Sequence, residues 1–322
     1  MSSIDRLPAR NGGRSLRRHL YEIWLQRELQ LMVIPWMLLI IVFSYIPMYG
    51  LIMGFQDYRL GDVIGFSRWA GFDNYVMFFN SPNFWRIMRN TFFISLLKLL
   101  FGFPLPIILA LLLNEVRITA FKKTVQTVSY LPHFISWVVI SGITLDLLSP
   151  DGGTINYALM SLGIIQSPIA FMGESRYFWG IVVITDIWKT VGWNAIIYIA
   201  AIASVDPELY QAAEMDGAGR MRKMWHITLA GIKPTIVILL ILSVGGILSA
   251  GFEQILLLTN NLRNAMVFDV SEIIDTYVFR VGLSQMRYSY ATAVGSFKAL
   301  LSVLLLVIAN YTARKISEES LF

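Results

Sequence analysis

Residues 91–113 read TFFISLLKLLFGFPLPIILALLL, a run in which Lys98 is the one ionisable side chain. An α-helix rises 1.5 Å per residue, so about 20 mostly apolar residues cross the hydrocarbon core of a bilayer. The run is therefore long and apolar enough to be a membrane span. Pro104 and Pro106 lie inside it, which membrane helices tolerate where neighbouring groups satisfy the freed carbonyls.

Five further segments have the same apolar character, and with the first they predict six spans. The composition agrees, because the chain is 56% hydrophobic and 15% charged, whereas soluble proteins average about 25% charged residues. Disorder and a coiled coil are excluded, and we expect an all-α polytopic membrane protein. The five additional spans are predicted at residues 31–53, 125–148, 179–201, 236–258 and 291–311.

Several chemistries are absent from the sequence. There is no cysteine, so disulfides, thiolate nucleophiles and thiolate metal sites are excluded. No Gly-x-x-x-x-Gly-Lys-Ser/Thr motif can cradle phosphates. The three histidines, His19, His133 and His226, lie on different predicted elements. The sequence therefore predicts neither a catalytic site nor a metal site, and the net charge of +5 needs no nucleic acid, since cationic cytoplasmic loops are usual in membrane proteins.

The distribution of lysine and arginine predicts the orientation of the chain. With the N-terminus inside, the cytoplasmic segments carry 15 of these residues and the external segments carry 8, which agrees with the positive-inside rule. Residues 1–30 and the tail 312–322 are then cytoplasmic. Residues 16–30 have apolar side chains at helical spacing and predict an amphipathic helix at the membrane surface; a plain linker is the alternative.

The 202–235 loop carries the strongest functional signal. Asp206 can cap a helix that begins at Pro207, and Gly217 and Gly219 interrupt that helix before a second short one. Trp225, Ile227 and Leu229 are apolar in a loop that faces water. The pattern predicts a helix–turn–helix that is either a socket for another protein or a connector packed on itself.

This loop resembles the EAA loop of membrane subunits in binding-protein-dependent ABC importers, which reads Glu-Ala-Ala, three residues, Gly, nine residues, Ile-x-Leu-Pro. The chain has Gln211-Ala212-Ala213, then Gly217, then Ile227-Thr228-Leu229-Ala230 at the same spacing. It departs from the motif at Gln211 and at Ala230, where Glu and Pro are usual. The resemblance implies that the loop couples the chain to an ATPase through Gln211, Ala212, Ala213, Gly217, Trp225, Ile227 and Leu229.

Other segments are similar to the carbohydrate-importing branch of that family. They include residues 206–210 (DPELY), 215–219 (MDGAG) and 252–260 (FEQILLLTN). Residues 45–50 (YIPMYG) and 54–58 (GFQDY) resemble the subgroup that handles complex or acidic oligosaccharides, which includes alginate and polygalacturonan permeases.

The resemblance implies the type I ABC importer permease fold and a complete assembly in the bacterial cytoplasmic membrane. A second, related permease would form a heterodimer with this chain in the lipid bilayer. Two cytoplasmic ATPases would bind ATP and magnesium, and an extracytoplasmic sugar-binding protein would deliver the substrate. No cofactor is expected on this chain. An ion-driven secondary transporter and a membrane-bound glycan enzyme are the alternatives, although neither paired repeats nor clustered catalytic groups are evident.

Polar groups inside predicted spans indicate a substrate path, because such groups are costly in lipid. The ionisable groups there lie in the external half or at the middle of the membrane. They predict a polar vestibule in which an acidic sugar would use Lys98, Lys189 and Lys298, and a neutral sugar would use Trp193, Asn194 and Tyr198. Asp186 and Lys189 can alternatively form a structural pair. The full set of candidates is Lys98, Asp186, Trp188, Lys189, Trp193, Asn194, Tyr198, Phe252, Glu253 and Lys298.

Overall fold

The computed structural model describes residues 26–317, so most of the predicted amphipathic helix at 16–30 and the end of the predicted tail lie outside the described residues. Within that range the chain is helical and has one isolated antiparallel bridge, between Gln56 and Trp69. The chain divides into two compact units, with the boundary in the sequence between Ile52 and Met53.

The described part of the first unit is an apolar helical segment with altered hydrogen bonding. The α-helix Arg27–Ile40 continues as a π-helical turn at Ile41–Tyr45, a short α-helix at Ile46–Met48 and a 3₁₀ segment at Tyr49–Phe55. Pro47 has no N–H to donate to the preceding turn. The change from α-helical to π-helical hydrogen bonding lies just before this proline. The whole stretch Arg27–Phe55, here called span 1, is long and apolar enough to cross a membrane.

Three helices of the second unit also qualify as single membrane spans. Span 2 is Phe84–Glu115, span 4 is Ser175–Ala203 and span 6 is Tyr288–Lys315. Span 2 consists of Phe84–Gly102 and Pro104–Glu115, with Pro104 at the first position of the second helix, where its missing N–H costs least. Among the described residues, two bent helix pairs raise the number of candidate spans from four to as many as six; they are Thr119–Phe134 with Trp137–Leu147 and Arg220–Gly231 with Lys233–Gly245.

The structure divides the third predicted span, 125–148, at a sharp bend. The α-helix Thr119–Tyr130 and the 3₁₀ turn Leu131–Phe134 meet the α-helix Trp137–Leu147 at 100°. Ile135 and Ser136 are extended, and the Ser136 hydroxyl accepts a hydrogen bond from the Val139 amide as a helix cap. The bend follows from this new helix start, which a hydropathy window does not detect.

The fifth predicted span, 236–258, is also interrupted. The helix Lys233–Gly245 ends at two consecutive glycines, and a new helix, Phe252–Leu258, begins after residues 246–251. Gly251 has φ +99°, a left-handed conformation that glycine adopts without the steric penalty of a Cβ. Non-helical backbone at membrane depth is tolerated where it is buried in protein or lines a cavity.

The remaining helical elements of the second unit are short, and most of them connect the candidate spans. They are Asp73–Phe79, Thr154–Ser161, Pro207–Met215, Arg220–Lys223, Met224–Thr228, Leu229–Gly231, Ala265–Val267, Phe268–Ser271, Ile274–Phe279 and Arg280–Ser284.

The segment after the fifth predicted span is fixed to the beginning of span 2 by buried polar contacts. The Glu272 carboxylate is fully buried and lies 2.8 Å from Arg86 Nη2 and 2.7 Å from Arg280 Nη2. The Asn90 amide donates to the carbonyls of Asp269 and Glu272, at 2.9 and 3.1 Å. These bonds satisfy groups that would otherwise be costly to bury.

Apolar packing joins the same elements. One buried cluster contains Ile94, Phe178, Val182 and Ile255, and so unites spans 2 and 4 with the helix Phe252–Leu258. Another unites spans 2 and 4 through Ala110 and Ala195. The helices are therefore held together around the interruption of the fifth predicted span.

Candidate functional site

A cavity of about 340 Å³ lies between span 2, span 4 and the interrupted fifth segment. The residues from spans 2 and 4 recur at spacings of three or four, so they share one face of each helix. Its lining comprises Ser95, Lys98, Leu99, Gly102, Phe103 and Pro106 of span 2, Asp186, Thr190, Asn194, Ile197 and Tyr198 of span 4, and Leu239, Ser243, Gly246, Ile247, Ser249 and Gly251.

A polar cluster joins the three elements at one side of this cavity. Lys98 Nζ lies 2.9 Å from Asp186 Oδ1 and donates to Gln254 Oε1 at 2.6 Å. The Gln254 amide, which is fully buried, donates to the Val182 carbonyl and to Thr185 Oγ1, each at 2.7 Å. Every member of the cluster therefore has a partner, as a buried polar network requires.

Gly251 leaves room for the Lys98 amine. A Cβ added to Gly251 would lie 2.6 Å from Lys98 Nζ, closer than side-chain carbons approach other atoms. The left-handed backbone and the close amine both favour glycine at this position. The interruption of the fifth segment is thus shaped around the ion pair of Lys98 with Asp186.

The structure brings four of the ten sequence-predicted path residues to the cavity: Lys98, Asp186, Asn194 and Tyr198. Tyr198 is almost fully buried.

Lys189 and Trp193, on the same helix, lie elsewhere. The Lys189 amine donates to the carbonyls of His133, at 2.9 Å, and Ile135. It therefore stabilises the bend before Trp137, and the alternative pair with Asp186 is not formed. Trp193 stacks on the His133 ring with 4.4 Å between ring centroids.

The other candidates also do not line the cavity. Lys298 forms an ion pair with Asp275 at 2.5 Å. Trp188 lines a separate apolar groove with Ile140 and Ile184. Phe252 packs against Phe279, with ring centroids 5.5 Å apart, and Glu253 is exposed.

Several groups at the cavity are not among the residues that the sequence predicts. Ser95 lies three residues before Lys98 and therefore on the same face of span 2, a spacing that could have identified it. Gln254 follows two predicted residues directly. Its role depends on the break of the fifth segment, which turns Gln254 toward Lys98, and no local pattern signals that contact.

The 202–235 loop forms two helical arms joined by a tight turn. Asp206 caps the helix Pro207–Met215 by accepting from the Glu208 amide at 2.9 Å. Gly217 has φ +73°, and the Ala218 amide donates back to the Ala213 carbonyl at 2.8 Å, a common way to end a helix. The second arm follows from Arg220.

The two arms contact one another and leave apolar side chains exposed. Tyr210 donates to Thr228 Oγ1 at 2.9 Å. Leu229 packs against the cluster that joins spans 2 and 4, and Ile227 is half-buried, whereas Gln211, Ala212 and Gly217 are exposed and Ala213 is half-buried. The exposed apolar side chains are Leu209, Met215, Met221 and Trp225, with Met215 89% exposed. Exposed apolar side chains of this kind suit a protein interface.

Over residues 26–317, no group of three or more His, Asp or Glu side chains could hold a metal ion.

The chain is similar in sequence to several known proteins. A family model described as binding-protein-dependent transport system inner membrane component matches residues 102–318. Protein LplB of Bacillus subtilis is 47% identical over 91% of this chain and 91% of its own length. The polygalacturonan/rhamnogalacturonan transport system permease protein YteP of the same organism is 45% identical over 95% of this chain and 94% of its own length.

Solved structures are also similar. A chain of a bacterial ABC transporter involved in the import of the acidic polysaccharide alginate is 39% identical, with a TM-score of 0.84 over 93% of this chain and 99% of that one. A chain of the bacterial alginate ABC transporter in complex with alginate pentasaccharide-bound periplasmic protein is 38% identical. Its TM-score is 0.85 over 96% of this chain and 100% of that one.

Proposed function

Because the chain belongs to the family of binding-protein-dependent transport system inner membrane components and is a multi-pass permease subunit of an ABC importer, we propose that it moves oligosaccharides through the cavity beside Lys98 and Asp186. The observation that carries the proposal is the lining of this cavity. The polar residues Ser95, Asn194 and Tyr198 line a space of about 340 Å³ at the interruption of the fifth segment. Convergent polar groups of this kind suit sugar hydroxyls.

The class of substrate is supported by the similar proteins. One is named for polygalacturonan and rhamnogalacturonan transport, one for arabinooligosaccharides, and one structure is of an importer of alginate. A chain of several sugar units is common to these names. The size of a half-cavity that a second subunit would complete suits a unit or two of such a chain.

The partners follow from the family. We expect a second, related permease subunit, two cytoplasmic ATPases that bind ATP and magnesium, and an extracytoplasmic sugar-binding protein. A periplasmic protein that carries a sugar accompanies the alginate transporter in one of the similar structures. This chain would contribute half of the path and no ATPase site.

The orientation of the chain is proposed from its charges. Placing both termini in the cytoplasm gives the cytoplasmic segments 15 lysines and arginines against 8 outside. The 202–235 loop is then cytoplasmic, where ATPases are found. The segments that hold Thr154 and Glu272 would face the binding protein.

The 202–235 loop would couple ATP hydrolysis to the cavity. Its exposed patch of Leu209, Met215, Met221 and Trp225 offers an apolar surface to an ATPase. Leu229 and Ile232 at its far end pack with Ala195 and Tyr198 of span 4, and Tyr198 lines the cavity. A displacement of the loop would therefore reach the cavity through packed side chains, as alternating access requires.

ATPase activity of the assembled complex tests the proposal. The chain would be co-expressed with the candidate permease and ATPase subunits, purified as a complex and mixed with binding protein and oligosaccharide. ATP hydrolysis that rises when both binding protein and sugar are present supports an oligosaccharide importer. Hydrolysis unaffected by any carbohydrate, in a complex that assembles, contradicts the assignment of the substrate.

A further inference from the structure

Three lysines lie well inside the predicted spans, and each already has a partner within the chain. Lys98 pairs with Asp186 at 2.9 Å, and Lys298 pairs with Asp275 at 2.5 Å. The Lys189 amine is bound by backbone carbonyls, among them that of His133. None of the three therefore stands as a free cation for an anionic substrate.

The lining of the cavity is also balanced in charge. Its two charged groups are Lys98 and Asp186, which neutralise each other. Their side chains are only 13% and 23% exposed, so their charges are poorly screened by solvent. A carboxylate that entered this space would lie beside Asp186, and the lining that this chain supplies has no cation left to pair with it. An unpaired charge in such a site is costly.

The uncharged groups of the lining are suited to hydroxyls. Ser95 is one of the uncharged polar residues of the lining. Asp186 has acceptor capacity beyond its bond with Lys98, and Asn194 and Tyr198 add an amide and a phenol.

From this geometry we propose that the sugar unit held in this cavity is uncharged, and that the pair of Lys98 with Asp186 determines that specificity by leaving no cation for a uronate. The inference rests on the proposed function, since it specifies the oligosaccharide that the same cavity takes. It would distinguish this chain from the similar transporter of the acidic polysaccharide alginate.

Two tetrasaccharides that differ only in charge provide the test. Tetragalacturonate carries a carboxylate on each unit, and its carboxyl-reduced form carries a hydroxymethyl group in the same place. Binding of each would be measured by ligand-detected NMR on the complete complex in nanodiscs, without binding protein, so that the preference of that protein does not enter. We expect the reduced form to bind the wild-type complex at least about tenfold more tightly. This ratio corresponds to the free energy of one hydrogen bond to a charged group.

Variants separate the role of the pair from general damage. Asp186→Asn leaves Lys98 without its counter-ion. We expect the ratio of the affinities for the two tetrasaccharides to shift toward tetragalacturonate by about tenfold or more. The double variant Lys98→Met/Asp186→Asn has no charge in the lining and should again favour the reduced form. Asp275→Asn removes the counter-ion of Lys298, which does not line the cavity, and should leave the ratio unchanged.

The outcomes that would overturn the inference are distinct. Equal or tighter binding of tetragalacturonate to the wild-type complex contradicts the uncharged unit, and this comparison stands even if Asp186→Asn does not assemble. An unchanged ratio in an assembled Asp186→Asn complex contradicts the role of the pair. Binding of neither tetrasaccharide by the wild type would instead count against the cavity as a sugar site, and so against the proposed function itself.

Discussion

Gly251 and Lys98 are matched in space: a Cβ on Gly251 would lie 2.6 Å from the Lys98 amine. Because Gly251 also has φ +99°, Gly251→Ala should strain the backbone and displace the amine from Asp186. We expect the free energy of unfolding to fall by about 1–3 kcal/mol. Thermal unfolding of the purified complex measures the loss.

Gly246→Ala is the control for that variant. Gly246 lies in the same interruption, but its φ is −88° and the nearest atom to an added Cβ is 3.7 Å away. Its unfolding temperature should stay close to that of the wild type. If both variants unfold at the same temperature, Gly251 is not shaped around Lys98.

Gly217 provides a test of coupling. Its φ of +73° costs a β-branched residue about 1–2 kcal/mol, so Gly217→Val should distort the turn between the two arms of the 202–235 loop. The spans lie outside this turn, and the amount of protein in the membrane should remain nearly normal. ATP-dependent sugar uptake should fall at least about tenfold, as measured in cells and compared with the protein level.

Gly219→Val is the matched control, because Gly219 has φ −69° and open space around it. It should retain most of the uptake. Normal uptake by Gly217→Val would show that the conformation of this turn is not required for coupling.

The buried Glu272 carboxylate is expected to stabilise the fold. It lies between Arg86 and Arg280, and Glu272→Gln would leave two guanidinium groups without a counter-ion at a cost of about 3 kcal/mol. The matched change Asp269→Asn alters a carboxylate that is 70% exposed and pairs with Arg89, so it should cost less than about 1 kcal/mol. Unfolding midpoints in detergent compare the two, and equal midpoints would exclude a stabilising role for Glu272.

Single cysteines can establish the orientation, since the chain has no cysteine of its own. Thr154 and Arg220 are both exposed and lie on opposite sides in the proposed topology. A membrane-impermeant maleimide should label Thr154→Cys in intact spheroplasts and Arg220→Cys after lysis. The reverse pattern would place the 202–235 loop outside and would exclude its contact with an ATPase.

Much of the fold could be predicted from the sequence because hydropathy and helix signals are local. Spans 1, 2, 4 and 6 coincide with apolar runs, and the cap at Asp206 was evident from its neighbour Pro207. The interruptions of the third and fifth predicted spans were not predicted, because bends within apolar runs leave the hydropathy high.

The candidate site was predicted only in part, because ion pairs join distant positions. Lys98 was identified as a polar group inside a span, but its partner Asp186 is 88 positions away, and Gln254 is 156 positions away. Helical spacing instead suggested a pair of Asp186 with Lys189. The bend before Trp137 offers Lys189 backbone carbonyls, and this tertiary contact replaces the local one.

Sugar uptake into proteoliposomes tests the transport function most directly. The complete complex would be reconstituted with ATP on the side of the 202–235 loop, and with binding protein and radiolabelled oligosaccharide on the other side. Accumulation of sugar that requires ATP and binding protein, and that is lost in Gly217→Val but kept in Gly219→Val, is the predicted result. Accumulation that proceeds without ATP and follows an imposed ion gradient would contradict it.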